Sequence, residues 1–214
     1  RDRYKAVVSS ITGDMKKEFL LPDPEADKFS LSITERNGII HYTILHSPQE
    51  KLPDNLYLIA HVRGFLLFVQ PIQKGQGAVS LKSIPEGILT LTLLDGNYVP
   101  HSERLVFVRQ NHSTWQLASD KASYGSRLPI SLNIHLSDLS GQPIKGDFSL
   151  SITDNYAIRC DSTADNILSN LLLTSDIKGY IETPGYYFKD NSQRLKACLD
   201  NLMITQGWSR FNVE

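Results

Sequence analysis

Asp154, Asp161, Asp165 and Asp176 bring four carboxylates into one short stretch of the chain. Hard oxygen donors of this kind could hold calcium, but the alternating-aspartate loop with its central glycine is missing. Aspartates at such spacings also cap helices and close turns at little cost, and that is the preferred reading. Six histidines, His41, His46, His61, His101, His112 and His135, are scattered with no HExxH motif and no i, i+4 pair on a helix. Each is expected to face solvent or to sit satisfied on a strand. Gly75-Gln76-Gly77 lacks the third glycine and following helix of a phosphate loop, and no GxSxG elbow is present. Cys160 and Cys198 lack the CxxC spacing of a zinc or redox site. Free thiols are expected over a bridge, because Cys198 falls on an apolar helical stripe. One aromatic set stands out. Tyr180, Tyr186 and Tyr187 beside Pro184-Gly185, with Trp208 further on, form a candidate ligand-binding platform for sugars or peptide. The competing reading is that these rings close the edge of a β core. No catalytic residue, metal ligand or cofactor is assigned.

Charge narrows the partners. Lys+Arg 22 against Asp+Glu 23 gives a formal net charge of −1 in 214 residues, so no net field favours nucleic acid or anionic lipid. Hydrophobic residues make up 41% of the chain, an ordinary share for a globular protein, and no apolar run is long enough for a membrane helix. Nucleic acid is therefore not an expected partner, and no membrane span is expected.

The elements that must position these residues are mostly strands. Phe29, Leu31 and Ile33 alternate with polar neighbours, Asn37-Gly38 is a strong hairpin turn, and Ile40, Tyr42 and Ile44 follow. Leu56–Val62 and Phe65–Pro71 flank a tight Arg63-Gly64 connection, and Val79–Leu81, Ile88–Leu94 and Arg104–Val108 continue at short spacing. This is the strand count and turn frequency of an antiparallel sandwich over 28–112. Tyr4–Ser10 and Glu18–Leu21 read as tail strands of a truncated preceding module over 1–27. Beyond the polar Gln110–Ser113 linker, Leu128, Ile130, Leu132, Ile134 and Leu136 predict a strand with one face on a core, and Phe148, Leu150 and Ile152 predict another.

The period then changes. Ile167, Leu168, Leu171 and Leu172 fit a short helix with Asp165 in its first turn. Leu195, Cys198, Leu199, Leu202 and Met203 form the stripe of a C-terminal amphipathic helix bounded by Asn191-Ser192 and Gly207. That helix is expected to dock on the second module, with Trp208 and Phe211 turned back onto it. The fold class expected is mainly β, as two tandem antiparallel β-sandwich domains, 28–112 and 113–214, with one short and one C-terminal helix in the second.

Longer blocks carry a resemblance. Ile84-Pro85-Glu86-Gly87-Ile88, Thr92-Leu93-Leu94-Asp95 and Ser102-Glu103-Arg104-Leu105-Val106-Phe107-Val108 resemble the end of a macroglobulin-like domain in large bacterial cell-envelope proteins. Ser149–Asp154, Leu171–Glu182 and Leu199–Trp208 are similar to the module that follows it. The resemblance covers nearly the whole chain. It implies β-sandwiches in series behind a secretion signal, near carboxypeptidase-regulatory-like and TonB-dependent receptor plug segments. It also implies a periplasmic or outer-membrane-associated address. Some relatives in the wider alpha-2-macroglobulin group trap proteases through a CGEQ thioester. Here Cys160 precedes Asp161-Ser162-Thr163 and Cys198 precedes Leu199-Asp200-Asn201, so neither matches.

The matched blocks are strand apolars, turn glycines and helix leucines, which specify shape. The function expected is a non-enzymatic structural or interaction module of a larger envelope protein. Its partners would be other domains of the same chain and envelope proteins. The alternative is a carbohydrate-binding or carbohydrate-processing β-sandwich using the Tyr/Trp set.

Overall fold

The computed structural model describes residues 3–23, 28–47, 51–110, 113–154, 156–159 and 161–206. Seven strands build the sandwich: β3 (Ser30–Arg36), β4 (Ile39–Leu45), β5 (Leu56–Val62), β6 (Phe65–Ile72), β7 (Gln76–Ser80), β8 (Gly87–Leu94) and β9 (Pro100–Val108). They form a three-stranded sheet in the order β3-β4-β7 and a four-stranded sheet in the order β6-β5-β8-β9, antiparallel throughout. Two tight turns set the registers. Asn37 and Gly38 take φ of 53° and 75°, and Arg63 and Gly64 take 52° and 80°. Positive φ at both central residues is the two-residue turn whose twist matches the flanking strands.

Between the sheets lies the main core. Ile40, Tyr42 and Ile44 from one side meet Leu58, Ala60, Leu89, Leu91 and Leu93 from the other. Each large side chain so buried stabilises the fold by about 1.5–3 kcal/mol. β8 is covered on both faces: Leu89, Leu91 and Leu93 face the sandwich core, while Ile88 belongs to a second cluster on the outside, where Thr90 is buried as well. That outside layer is helical. It comprises α1 (Ile167–Ser169), continued as a π-helical stretch Asn170–Thr174, a 3₁₀ turn Pro184–Phe188, and α2 (Gln193–Thr205). Asn166 caps α1 by accepting from the Leu168 and Ser169 amides, and Ser192 caps α2 by accepting from Leu195 N–H.

Here the structure departs from expectation. The stripe of α2 docks on the four-stranded sheet of the first sandwich, where Leu199 and Met203 pack with Ile88, Leu105, Leu173 and Ile177. The periodicity specifies an apolar face on α2, but Ile88, Leu105 and Phe107 on the outside of β8 and β9 are what receive it.

Among the described residues two further two-stranded ribbons occur: β1 (Lys5–Ser9) pairs with β2 (Lys16–Leu20), and β10 (Ser113–Ser119) with β11 (Leu132–Asp138). The strand expected from Leu128 begins at Leu132, and its alternating face is open: Ile134 stays 42% exposed. Phe148, Leu150 and Ile152 are exposed and, among the described residues, pair with no strand. The second sandwich expected over 113–214 is represented, among the described residues, by the β10–β11 ribbon.

Candidate functional site

Three arginines tie the helical layer to the sandwich. Arg63, at the tip of the β5–β6 hairpin, donates Nε to Asp176 Oδ2 at 3.0 Å and also donates to the Leu171 carbonyl. Asp176 is 3% exposed and takes a further bond from the Ser175 hydroxyl at 3.0 Å. Arg104 on β9 pairs with Asp200 on α2 at 2.6 Å. Arg109, just past β9, donates to the carbonyls of Tyr187 at 2.6 Å and Asp190 at 2.7 Å and to the Asn191 side chain. Its guanidinium also lies over the Phe188 and Phe107 rings, 5.7 Å and 6.0 Å from their centroids.

Between α2, the β3–β4 turn and the end of β7 opens a cleft of about 760 Å³. Ile33, Val106, Phe107 and Leu199 give it an apolar floor, and Glu35, Lys82 and Lys196 stand on its rim. Ser192 sets its helical wall: its N–H and hydroxyl bond the Asp190 side chain, which holds that carboxyl below the usual range.

The aromatic platform is divided. Tyr180 is 82% exposed, and its carbonyl accepts from the Gln206 amide. Tyr186 and Tyr187 meet edge to face at 5.6 Å, but Tyr187 and Phe188 pack against the outer core, and burial pushes the Tyr187 phenol up. Trp208, Gly207 and Phe211 lie outside the described residues. What the geometry brings together is thus Tyr186 with Tyr187, with Tyr180 standing apart in solvent.

The four aspartates serve different partners. Asp154 accepts from the Tyr156 amide, and Asp161 from the amide and hydroxyl of Thr163. Asp165 accepts from the Ser169 hydroxyl at 2.5 Å, which keeps it below the usual carboxylate range. Asp176 belongs to Arg63. No group of three or more possible metal-ligating side chains occurs among the described residues. Cys198 is a half-buried free thiol, whereas Cys160 and His112 fall outside the described residues.

His61 corrects the expectation of a solvent-facing or satisfied histidine. It is 1% exposed, and its Nδ1 finds no hydrogen-bond partner among the described residues. Burial lowers its pKa below the ordinary 6.5. Ala60 and His61 follow each other on β5, opposite Leu91 and Thr90 of β8, so their side chains turn to opposite faces, and both are buried because both faces of this sheet are covered. Nothing in the period-two pattern of β5 signals this.

No family model, curated protein or solved structure matches this chain. No helix among the described residues is long and apolar enough to cross a membrane.

Proposed function

We propose that this chain is a non-enzymatic structural and docking module, of the macroglobulin-like kind, within a larger cell-envelope protein. One observation carries the reading. The β10–β11 ribbon presents Trp115, Leu117, Ile134 and Leu136 on a single face, and the first three are exposed to 66%, 47% and 42%. Isolated two-stranded ribbons are marginal in water, and contiguous apolar surface of this kind marks a contact with another protein surface. The sandwich and its helical layer are held together by Arg63–Asp176, Arg104–Asp200 and the cluster around Ile88. The partners fitting this reading are neighbouring domains of the same polypeptide and envelope proteins of the periplasm or outer membrane.

The test compares the chain with a Leu117→Lys/Ile134→Lys variant. Both should melt alike, since the altered side chains are exposed, while capture of partners from outer-membrane extract should be lost only in the variant. Glycosidase, esterase and peptidase panels should stay at background. Hydrolysis above background, or glycan binding abolished by Tyr180→Ala, would replace this reading with a carbohydrate-directed one.

A further inference from the structure

The cleft beside α2 has an open strand edge in its wall. β3 is the outer strand of the three-stranded sheet and, among the described residues, pairs as a strand with β4 alone. In an antiparallel ladder, alternate residues turn their N–H and C=O away from the partner strand. The phase of that alternation is given by two bonds. Ile44, opposite Leu31, donates its N–H away from β3 to the Gly75 carbonyl at 2.7 Å, and Leu31 donates outward to the Ser102 hydroxyl at 3.1 Å. Steps of two from Leu31 reach Ile33 and Glu35, whose outward backbone groups therefore open onto the cleft that both residues line. β9 satisfies the edge at Leu31 and no longer does so where the cleft begins.

The charges around the opening are unequal in availability. Asp200 is taken by Arg104 at 2.6 Å, and Glu35 Oε1 accepts from Gly38 N–H at 2.8 Å. Arg109 spends its donors on Tyr187, Asp190 and Asn191. Lys82 and Lys196 are exposed and form no ion pair among the described residues. Two ammonium groups with no ion pair among the described residues thus line the same cleft as its apolar residues and the outward edge of β3.

We propose that this cleft takes an extended acidic peptide segment, which adds as a strand to the free edge of β3 and sets its carboxylates on Lys82 and Lys196. Backbone pairing with Ile33 and Glu35 supplies affinity, the apolar floor takes alternate side chains, and the lysines select charge. This deepens the docking reading above, on which it rests, and assigns that module a second surface distinct from the β10–β11 ribbon.

Synthetic hexapeptides test it on the full chain. The first alternates valine with glutamate, the second alternates valine with lysine, and the third repeats the first with backbone N-methylation at alternate residues. The glutamate peptide should bind and slow amide exchange at Ile33 and Glu35, while the lysine and N-methylated peptides should bind at least tenfold more weakly. A Lys82→Glu/Lys196→Glu variant, altered only at exposed positions, should reverse the charge preference without changing the melting temperature. Equal binding of all three peptides, or no binding, overturns the proposal, as does protection mapping away from Ile33 and Glu35. Those outcomes leave the docking reading standing, because it is tested separately, by the Leu117→Lys/Ile134→Lys variant and by the hydrolase and glycan assays.

Discussion

Arg63 and Asp176 lie 113 positions apart in sequence and 3.0 Å apart in space, and together they fasten the helical layer to the tip of a sandwich hairpin. The carboxylate is nearly inaccessible while the arginine side chain is 42% exposed, so the pair is half screened by water. Losing the arginine strands a buried charge, which costs far more than losing an exposed pair. Arg63→Ala should therefore destabilise the fold by about 1–3 kcal/mol. Hydrogen exchange should locate the loss first in residues 167–206, with the β8 amides still protected. Uniform loss across both regions would show that layer and sandwich unfold as one unit.

Acidification should destabilise the fold through His61. Because burial holds the folded-state pKa of His61 below its ordinary 6.5, the unfolded chain binds a proton first as pH falls. Stability is therefore intact above about pH 6.5 and declines below it, by at most about 1.4 kcal/mol per pH unit until the folded pKa is reached. His61→Leu should remove this component of the pH dependence between about pH 5 and 7. Denaturant midpoints measured across that range for both proteins decide the matter, and parallel pH profiles would count against it.

Gly185 is a point of close backbone approach. A Cβ at this position would lie 2.5 Å from the Ala164 carbonyl oxygen and 3.0 Å from that of Ser162. Neither atom belongs to a side chain that can rotate away, so Gly185→Ala must displace the turn holding Tyr187 and Phe188. A destabilisation of about 1–3 kcal/mol is expected from such overpacking. Chemical denaturation measures it, and an unchanged midpoint would mean that the turn yields freely.

The stripe of α2 should stabilise the first sandwich. Leu199 and Met203 are 6% and 1% exposed and lie in one cluster with Ile88 of β8 and Leu105 of β9. Leu199→Ala and Met203→Ala should each cost about 2–5 kcal/mol. Their effect should reach the exchange rates of β8 and β9 amides and leave the β10–β11 ribbon untouched. A change confined to the ribbon would contradict the observed docking.

Much of the sandwich is legible in local sequence. Asn37-Gly38 and Arg63-Gly64 sit between alternating runs, and the structure places two-residue hairpins there. Turn chemistry and period two depend on neighbours along the chain, so the sequence displays them directly. The helical stripe from Leu195 to Met203 is legible for the same reason, as is the cap at Ser192. The aromatic candidates are less so, because a run of tyrosines states that rings are present and not which of them will be buried. Tyr187 packs on the outer core while Tyr180 remains in solvent.

By itself, then, the sequence determined which residues share a face: Leu89, Leu91 and Leu93 on one side of a strand, Leu132, Ile134 and Leu136 on one side of another, and Leu195, Leu199 and Met203 along a helix. What covers each face was decided only in three dimensions. The β8 residues meet an opposing sheet, the α2 stripe meets the outside of that same sandwich, and the β11 residues Leu132 and Ile134 meet water. The burial of His61 and the pairing of Arg63 with Asp176 belong to this second kind. The physical reason is that periodicity follows from the geometry of one element, whereas burial and pairing follow from which distant surfaces are flat, apolar and unoccupied when the elements assemble.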